Sequence, residues 1–348
     1  MKKAIISLIL TAIAVAAIFA WIFIGPATSF TENRKHLYIN TGEASKTSVM
    51  ESIEKDDLVK HPGAFEWLAS RLNLWTRLRP GKYEIKKGAS LLSIVRILRN
   101  NRQSPVNLVI NKIRTTQDLA HVISKNFEAD SLSVISYINN ADSLQQLGVD
   151  ENTLMTLVIP NTYTMFWTTK TGRIFQRLKT EQDNFWKKND RLTKAETMGF
   201  TPAQVYTIAS IVEEETNKQD EKGNVASVYI NRYKKGMPLG ADPTIKFALK
   251  DFGLKRIYEK HLQVSSPYNT YKNRGLPPGP ICTPSSKTID AVLNAPETDY
   301  LFFVAKSDFS GYHTFTTTYA QHLQRAKEYQ KALDELILRK QQNAKATM

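Results

Sequence analysis

Three consecutive carboxylates, Glu213, Glu214 and Glu215, close an apolar stretch that begins at Val205. A carboxyl group half desolvated beside a cleft has its pKa raised, and that lets it work as a general acid near neutral pH. The local signals predict a helix here, with Thr201 as N-cap, Pro202 at the first position and Gln204 completing a capping box. Counting about 100° per residue from Val205, Ala209, Val212 and Thr216 fall within about 40° and Ile208 within about 60°, which makes a core-facing stripe. Glu214 then lies about 180° away, toward solvent, while Glu213 and Glu215 flank the stripe at about 80° on opposite sides. Periodicity does not choose between these two. A run of three acids is also the ordinary composition of a solvated helix face.

The elements around this helix supply further candidate groups. A second helix is expected from about 224 to 235, ended by Gly236, with Asn231 and Arg232 in its last turn, where the helix dipole already favours a cation. Asp242 before Pro243 reads as the N-cap of a third helix running to Leu249. Tyr268-Asn-Thr-Tyr271 sets aromatic rings beside the Asn269 amide, a combination that can stack on and hydrogen-bond a sugar or simply anchor a loop. His313, between Tyr312 and Thr314 at the end of an apolar strand, reads by default as a hydrogen-bonded structural histidine. The six histidines and one cysteine have no metal-ligand spacing, and no Gly-rich phosphate loop occurs, so neither metal nor cofactor is expected. Cys282 reads as a small residue in a Pro-rich loop.

In series, Ala209-Ser-Ile-Val-Glu-Glu-Glu-Thr216, Val225-Ala-Ser-Val-Tyr-Ile-Asn-Arg232, Gly236-Met-Pro-Leu239 and Asp242-Pro-Thr244 resemble the signature blocks of the YceG-like family of endolytic murein transglycosylases. Tyr268-Asn-Thr-Tyr271, Gly275-Leu-Pro-Pro-Gly-Pro-Ile281 with Pro284, Tyr300-Leu-Phe-Phe-Val304 and Gly311-Tyr-His-Thr-Phe315 follow in the family's order. The resemblance is dense from about residue 155 to 320 and thin before that. It implies Glu213 as the catalytic acid, with Asn231, Asp242, Thr244, Tyr268, Asn269, Tyr271 and His313 as candidate contacts to the glycan. The chain departs from the pattern at Gly240-Ala241, where the family commonly has Gln followed by Thr or Ser, and at Asn161, where an acid is usual.

A lytic transglycosylase needs one carboxyl group, which protonates the oxygen leaving C1 of N-acetylmuramic acid and then takes the proton of the same sugar's C6 hydroxyl. The resemblance therefore implies an enzyme that cuts nascent peptidoglycan glycan strands to 1,6-anhydro ends, beside the peptidoglycan synthases. A hydrolytic muramidase would need a second carboxylate, for which Asp242 and Glu215 are the candidates. A non-catalytic peptidoglycan-binding scaffold is the third reading.

Residues 4–24 form an apolar run interrupted only by Ser7 and Thr11, long enough at about 1.5 Å per residue to cross a hydrocarbon core of about 30 Å. Lys2 and Lys3 precede it, which predicts a cytoplasmic N-terminus, a single pass through the inner membrane and a periplasmic remainder. A cleaved signal peptide is the competing reading, less suited to so long an apolar run. The formal net charge is +14. Behind a membrane anchor that charge suits anionic headgroups or cell-wall carboxylates and argues against nucleic acid.

The expected fold class is α+β: a transmembrane helix, a small LysM-like α/β subdomain and a larger mixed α+β catalytic domain. The boundaries predicted are a cytoplasmic tail (1–3), the transmembrane helix (4–24), a juxtamembrane linker (25–45) with His36-Leu-Tyr-Ile39 as a candidate first short strand, an accessory region (46–155), the catalytic domain (156–335) and a tail (336–348). The LysM-like part, about 79–110, rests on a Pro80-Gly81 turn, a short strand, Gly88, and a helix capped by Ser90 with Leu91, Ile94, Val95 and Leu98 at helical spacing.

Overall fold

The computed structural model describes residues 2–346, so Met1 of the expected N-terminal tail and residues 347 and 348 of the C-terminal one lie outside the described residues. The fold is mixed α+β, mostly helical, with three two-stranded sheets among the described residues. The chain divides into two compact units, the first holding residues 1–108, 123–130 and 163–170, the second the rest.

The first unit opens with α1 (Lys2–Ile24), whose Thr11 hydroxyl donates to the Ser7 carbonyl at 2.9 Å, so a polar atom on an apolar helix is satisfied within the helix. In length and composition α1 fits a single-pass membrane anchor. After it, β1 (Arg34–Ile39) pairs antiparallel with β2 (Gly81–Lys86), with Leu37 opposite Tyr83; α2 (Lys46–Lys55) and α3 (Pro62–Arg71) lie between them in sequence. Strict alternation explains the pair, since Leu37, Ile39, Tyr83 and Ile85 face inward while Arg34, Lys82 and Lys86 face out. α4 (Leu91–Arg99), capped by the Ser90 hydroxyl, adds Leu91, Ile94, Val95 and Leu98 to the same core.

Two expectations change here. Residues 25–45 are no linker, because Ala27, Phe30, Leu37 and Ile39 are buried in this core. Strand, turn and helix fall where the LysM-like reading put them, yet β2 pairs with β1 from outside the 79–110 segment, whereas β3 (Pro105–Ile110) pairs with a later strand.

Further along the chain, α5 (Thr116–Asn126), α6 (Ser131–Ile138) and α7 (Ala141–Gln146) precede β4 (Asn161–Phe166), the partner of β3, and the division between the units falls within α5 and within β4. α8 (Thr171–Lys187) and α9 (Arg191–Met198) lead to α10 (Pro202–Glu215), which has the predicted capping box between Thr201 and Gln204 with Pro202 in its first turn. α11 (Lys222–Lys234), α12 (Asp242–Leu249), the single-turn α13 (Glu259–Leu262) and α14 (Ser286–Leu293) follow. β5 (Phe302–Ala305) and β6 (His313–Thr316) form an antiparallel hairpin, and α15 (Tyr319–Ala346) closes the described chain. Residues 336–346, expected as a tail, continue α15.

α10 is the centre of the second unit. It packs against α9, α11, α12 and α14, and every residue from Val205 to Val212 is buried. The single core-facing stripe expected from its periodicity is therefore too narrow, because a helix covered on all sides has no solvent face until its last turn. That last turn carries the three glutamates, which must each find a partner or water.

Candidate active site

The three glutamates diverge into three environments. Glu213 enters a buried polar cluster, accepting from the Lys222 ammonium of α11 at 2.9 Å and from the Ser285 hydroxyl at 3.2 Å. The Thr288 hydroxyl of α14 also donates to it, and Thr288 accepts from Lys222 at 2.6 Å. Glu214, expected to point into solvent, receives a two-pronged grip from Arg114, at 3.1 and 2.9 Å, with Lys112 at 3.2 Å. These hydrogen bonds and cations outweigh its burial and hold its carboxyl below the usual range.

Glu215 alone of the three lines a cleft of about 560 Å³, together with Tyr229 and Arg232 of α11, Gly240, Asp242, Tyr271 and Phe302. Burial pushes its carboxyl up to about 7, and the like charge of Asp242 adds to that. His313, the 3.2 Å hydrogen bond from the Tyr229 hydroxyl and Lys246 oppose the rise without cancelling it. A carboxyl group at that value is substantially protonated at neutral pH, and its conjugate base remains available when the proton has gone. Glu213, expected as the acid, is held by an ion pair and two hydroxyls, whereas Glu215 lines the cleft and has its proton affinity raised.

The other predicted contacts separate in the same way. Asp242 and Tyr271 are in the cleft, joined by a 2.5 Å hydrogen bond from the tyrosine hydroxyl, and burial together with that bond pushes the phenol up. Asp242 is not the N-cap expected of it, since Ala241 holds that place and Asp242 sits in the first turn. Asn231 spends its amide on the carbonyls of Thr298 and Tyr300, at 2.7 and 3.0 Å, tying α11 to the chain entering β5. The fully buried Thr244 hydroxyl donates to Ala241 and meets that of Thr270. Buried Asn269 donates to Leu262 and Val264 and accepts from the Tyr271 N–H, so it shapes the loop that carries Tyr271. Tyr268 packs on Phe247 with ring centroids 4.7 Å apart. His313 pairs through Nδ1 with Glu221, whose other oxygen accepts the His313 backbone N–H at 2.9 Å.

The two departures from the family pattern have distinct consequences. Gly240 has φ +60, and a Cβ there would come within 3.2 Å of the Arg232 guanidinium and 3.7 Å of the Tyr271 ring. A glutamine at that position would fill part of the cleft. Asn161 begins β4 and its side-chain oxygen accepts the Thr162 N–H at 2.8 Å.

Sequence reasoning did not single out Tyr229. It lies one turn before Arg232 on α11, and that i,i+3 spacing on a face already carrying a cation was the available signal. Arg232 is fixed by the carbonyls of Leu301 and Leu239, each at 2.6 Å, and stacks on Phe302. Cys282 is buried, with its thiol at 3.3 Å from the Ser210 carbonyl, and burial pushes that thiol well up.

The pattern of the YceG-like family matches residues 37–328, which include the buried helix and the cleft at its end. The chain belongs to the YceG-like family. Among its relatives is the endolytic murein transglycosylase of Bacillus subtilis (strain 168), 27% identical over 317 residues that cover 86% of each protein. The endolytic murein transglycosylase of Streptococcus pneumoniae serotype 2 is 26% identical over 302 residues, which are 77% of this chain and 54% of the longer pneumococcal protein. The 2.6 Å crystal structure of a YceG-like protein from Listeria monocytogenes superposes with a TM-score of 0.55 at 25% identity, covering 84% of this chain and 99% of that one.

Proposed function

We propose that this chain is a membrane-anchored lytic transglycosylase of peptidoglycan, with Glu215 as its single acid and base. Glu215 donates its proton to the glycosidic oxygen as the bond to C1 of N-acetylmuramic acid breaks. The resulting carboxylate, held by Tyr229, takes the proton from the C6 hydroxyl of the same sugar, whose oxygen closes on C1. Atoms balance without water, and the product carries a 1,6-anhydro end. The observation that supports this most is the raised proton affinity of Glu215 in a cleft that also presents Tyr271 and Phe302. The relatives' name, endolytic murein transglycosylase, supports the same substrate and reaction.

A second reading has one specific observation in its favour. Asp242 shares the cleft and acts electrostatically on Glu215, so one cleft holds the two carboxylates that a hydrolase requires. Mass analysis of glycan fragments after incubation with the detergent-solubilised protein separates the two. Anhydro ends are lighter than hydrolytic ends by one water, and a product population at the heavier mass would replace the transglycosylase reading by the muramidase one.

The pH dependence follows from the same group. The protonated form does the first step, so turnover is expected to fall as pH rises through about 7. Tyr229→Phe removes a hydrogen bond that favours the carboxylate and should move that limb to higher pH, a shift visible in the kcat profile. An unmoved limb in Tyr229→Phe would detach the titration from Glu215.

In this reading α1 spans the inner membrane with Lys2 and Lys3 on the cytoplasmic side and everything after it in the periplasm, close to the synthases that extend the strands. A reporter fused after Met348 should be active only outside the cytoplasm, and the mature protein should retain residues 4–24. A mature N-terminus near residue 28 would mean a cleaved signal instead. The first unit would add retention on glycan. Its LysM-like stretch keeps Tyr83, Ile85 and Leu91 in the core, so any such contact belongs to the outward face of the β1–β2 pair.

A further inference from the structure

The chain leaves α1 with almost no slack. The Gly25 N–H still bonds to the Trp21 carbonyl at 2.9 Å, and Ala27 is already stitched into the first unit, donating to Ala89 at 3.1 Å and accepting from Lys60 at 2.8 Å. Only Gly25 and Pro26 separate helix from folded core, a span of at most about 7 Å. Ile22 and Phe23 themselves pack against that core. A helix of 23 residues is about 35 Å long, so an α1 that crosses about 30 Å of hydrocarbon ends in the headgroup layer, and the first unit begins there.

The surface brought to that level is α3. The Trp67 ring lies against Phe23, with centroids 5.4 Å apart, and Phe23 is one residue from the end of α1. Trp67 is nevertheless 51% exposed, and Trp21, close by in sequence, is 70% exposed. One turn along α3, the Arg71 guanidinium sits 5.4 Å from the Trp67 ring. An exposed indole with an arginine over it is costly to leave bare in water, but it suits the boundary between acyl chains and phosphates, where the ring is half desolvated and the cation meets an anion.

We propose that α3 is a membrane-interface foot, with Trp67 at the acyl–headgroup boundary and Arg71 on lipid phosphate, so that the first unit rests on the bilayer rather than hanging from a tether. The occupant of this face is the bilayer continuous with α1, and the proposal rests on the reading of α1 as a retained membrane helix.

The test uses the full-length protein in vesicles of phosphatidylcholine and phosphatidylglycerol. Single nitroxide labels are placed at Trp67→Cys, Arg71→Cys, Ile13→Cys and Glu43→Cys; Cys282 is buried and contributes little background. Glu43 is exposed in the turn after β1, which makes it the aqueous control. The labels at 67 and 71 should collide with a water-soluble nickel chelate about threefold less often than the label at 43, and the label at 67 should meet more dissolved oxygen. Labels at 67 and 71 as accessible as the one at 43, with the label at 13 deep in the bilayer, would overturn the foot and leave the anchor standing. A water-accessible label at 13 would overturn the anchor and the foot with it.

Discussion

Glu215→Gln is expected to abolish formation of anhydro ends, by at least the roughly 10² to 10⁴ that a positioned acid-base group supplies. The amide keeps the size of the side chain but neither gives nor recovers a proton. It should leave the fold intact and raise stability at neutral pH, for a reason contained in the titration. Glu215 ionises at an ordinary value near 4.5 when unfolded and at about 7 when folded, so the folded state holds the extra proton. Stability is therefore lost as pH rises from about 4.5 to about 7 and is flat above, and a neutral amide escapes that loss. A melting curve and a product assay on the same preparation give both readouts. Glu213→Gln should retain turnover per folded molecule. If instead folded Glu215→Gln protein makes anhydro ends at a near wild-type rate while Glu213→Gln makes none, the acid is Glu213 after all and the cleft has another purpose.

What was legible in the sequence was local. The start of α10 depends on Thr201, Pro202 and Gln204, three residues within one turn, and all three behave as their chemistry dictates. The end of the same helix was ambiguous because Glu213 and Glu215 sit symmetrically about the apolar stripe, and only groups from other elements break the symmetry. Lys222 and Thr288 arrive from α11 and α14 on one side, Tyr229 and Asp242 from α11 and α12 on the other. Glu214 makes the point most sharply, since its partner Arg114 lies a hundred residues earlier and nothing near Glu214 announces it. Asn231, Thr244 and Asn269 read as sugar contacts because polar residues beside aromatic ones suit a glycan. Their amide and hydroxyl groups are instead spent on backbone carbonyls, the commoner fate of a buried polar side chain. The segment 25–45 looked irregular because basic and polar residues outnumber the few apolar ones. The candidate strand at His36–Ile39 is β1, with Leu37 and Ile39 spaced by two on its buried face, but the burial of Ala27 and Phe30 had no periodic signal to announce it.

The Glu213 cluster carries the other large expected effect, this one on stability. Lys222→Met removes the cation bonded to Glu213 and leaves its carboxylate among two hydroxyls, with Lys222 and Glu213 respectively 6% and 15% exposed in their side chains. Removing one partner of a buried pair costs on the order of 3 to 5 kcal/mol, because the charge left behind has neither water nor counter-ion. For a unit of this size that corresponds to a fall in Tm on the order of 10 °C. Glu213→Leu alone should cost a comparable amount by stranding the ammonium, although Thr288 still accepts from it. The double variant Glu213→Leu with Lys222→Met should recover much of the loss, since replacing both charges by apolar groups of similar volume is often close to neutral. The measurement is a double-mutant cycle on urea midpoints, with product formation per folded molecule followed in parallel. Strong coupling in stability with turnover preserved in the double variant is the expected pattern, because α10, α11 and α14 would still hold the last turn of α10 in place for Glu215. Additive losses, or a double variant that folds but cannot turn over, would mean that Glu213 and Lys222 act on the substrate rather than on the scaffold.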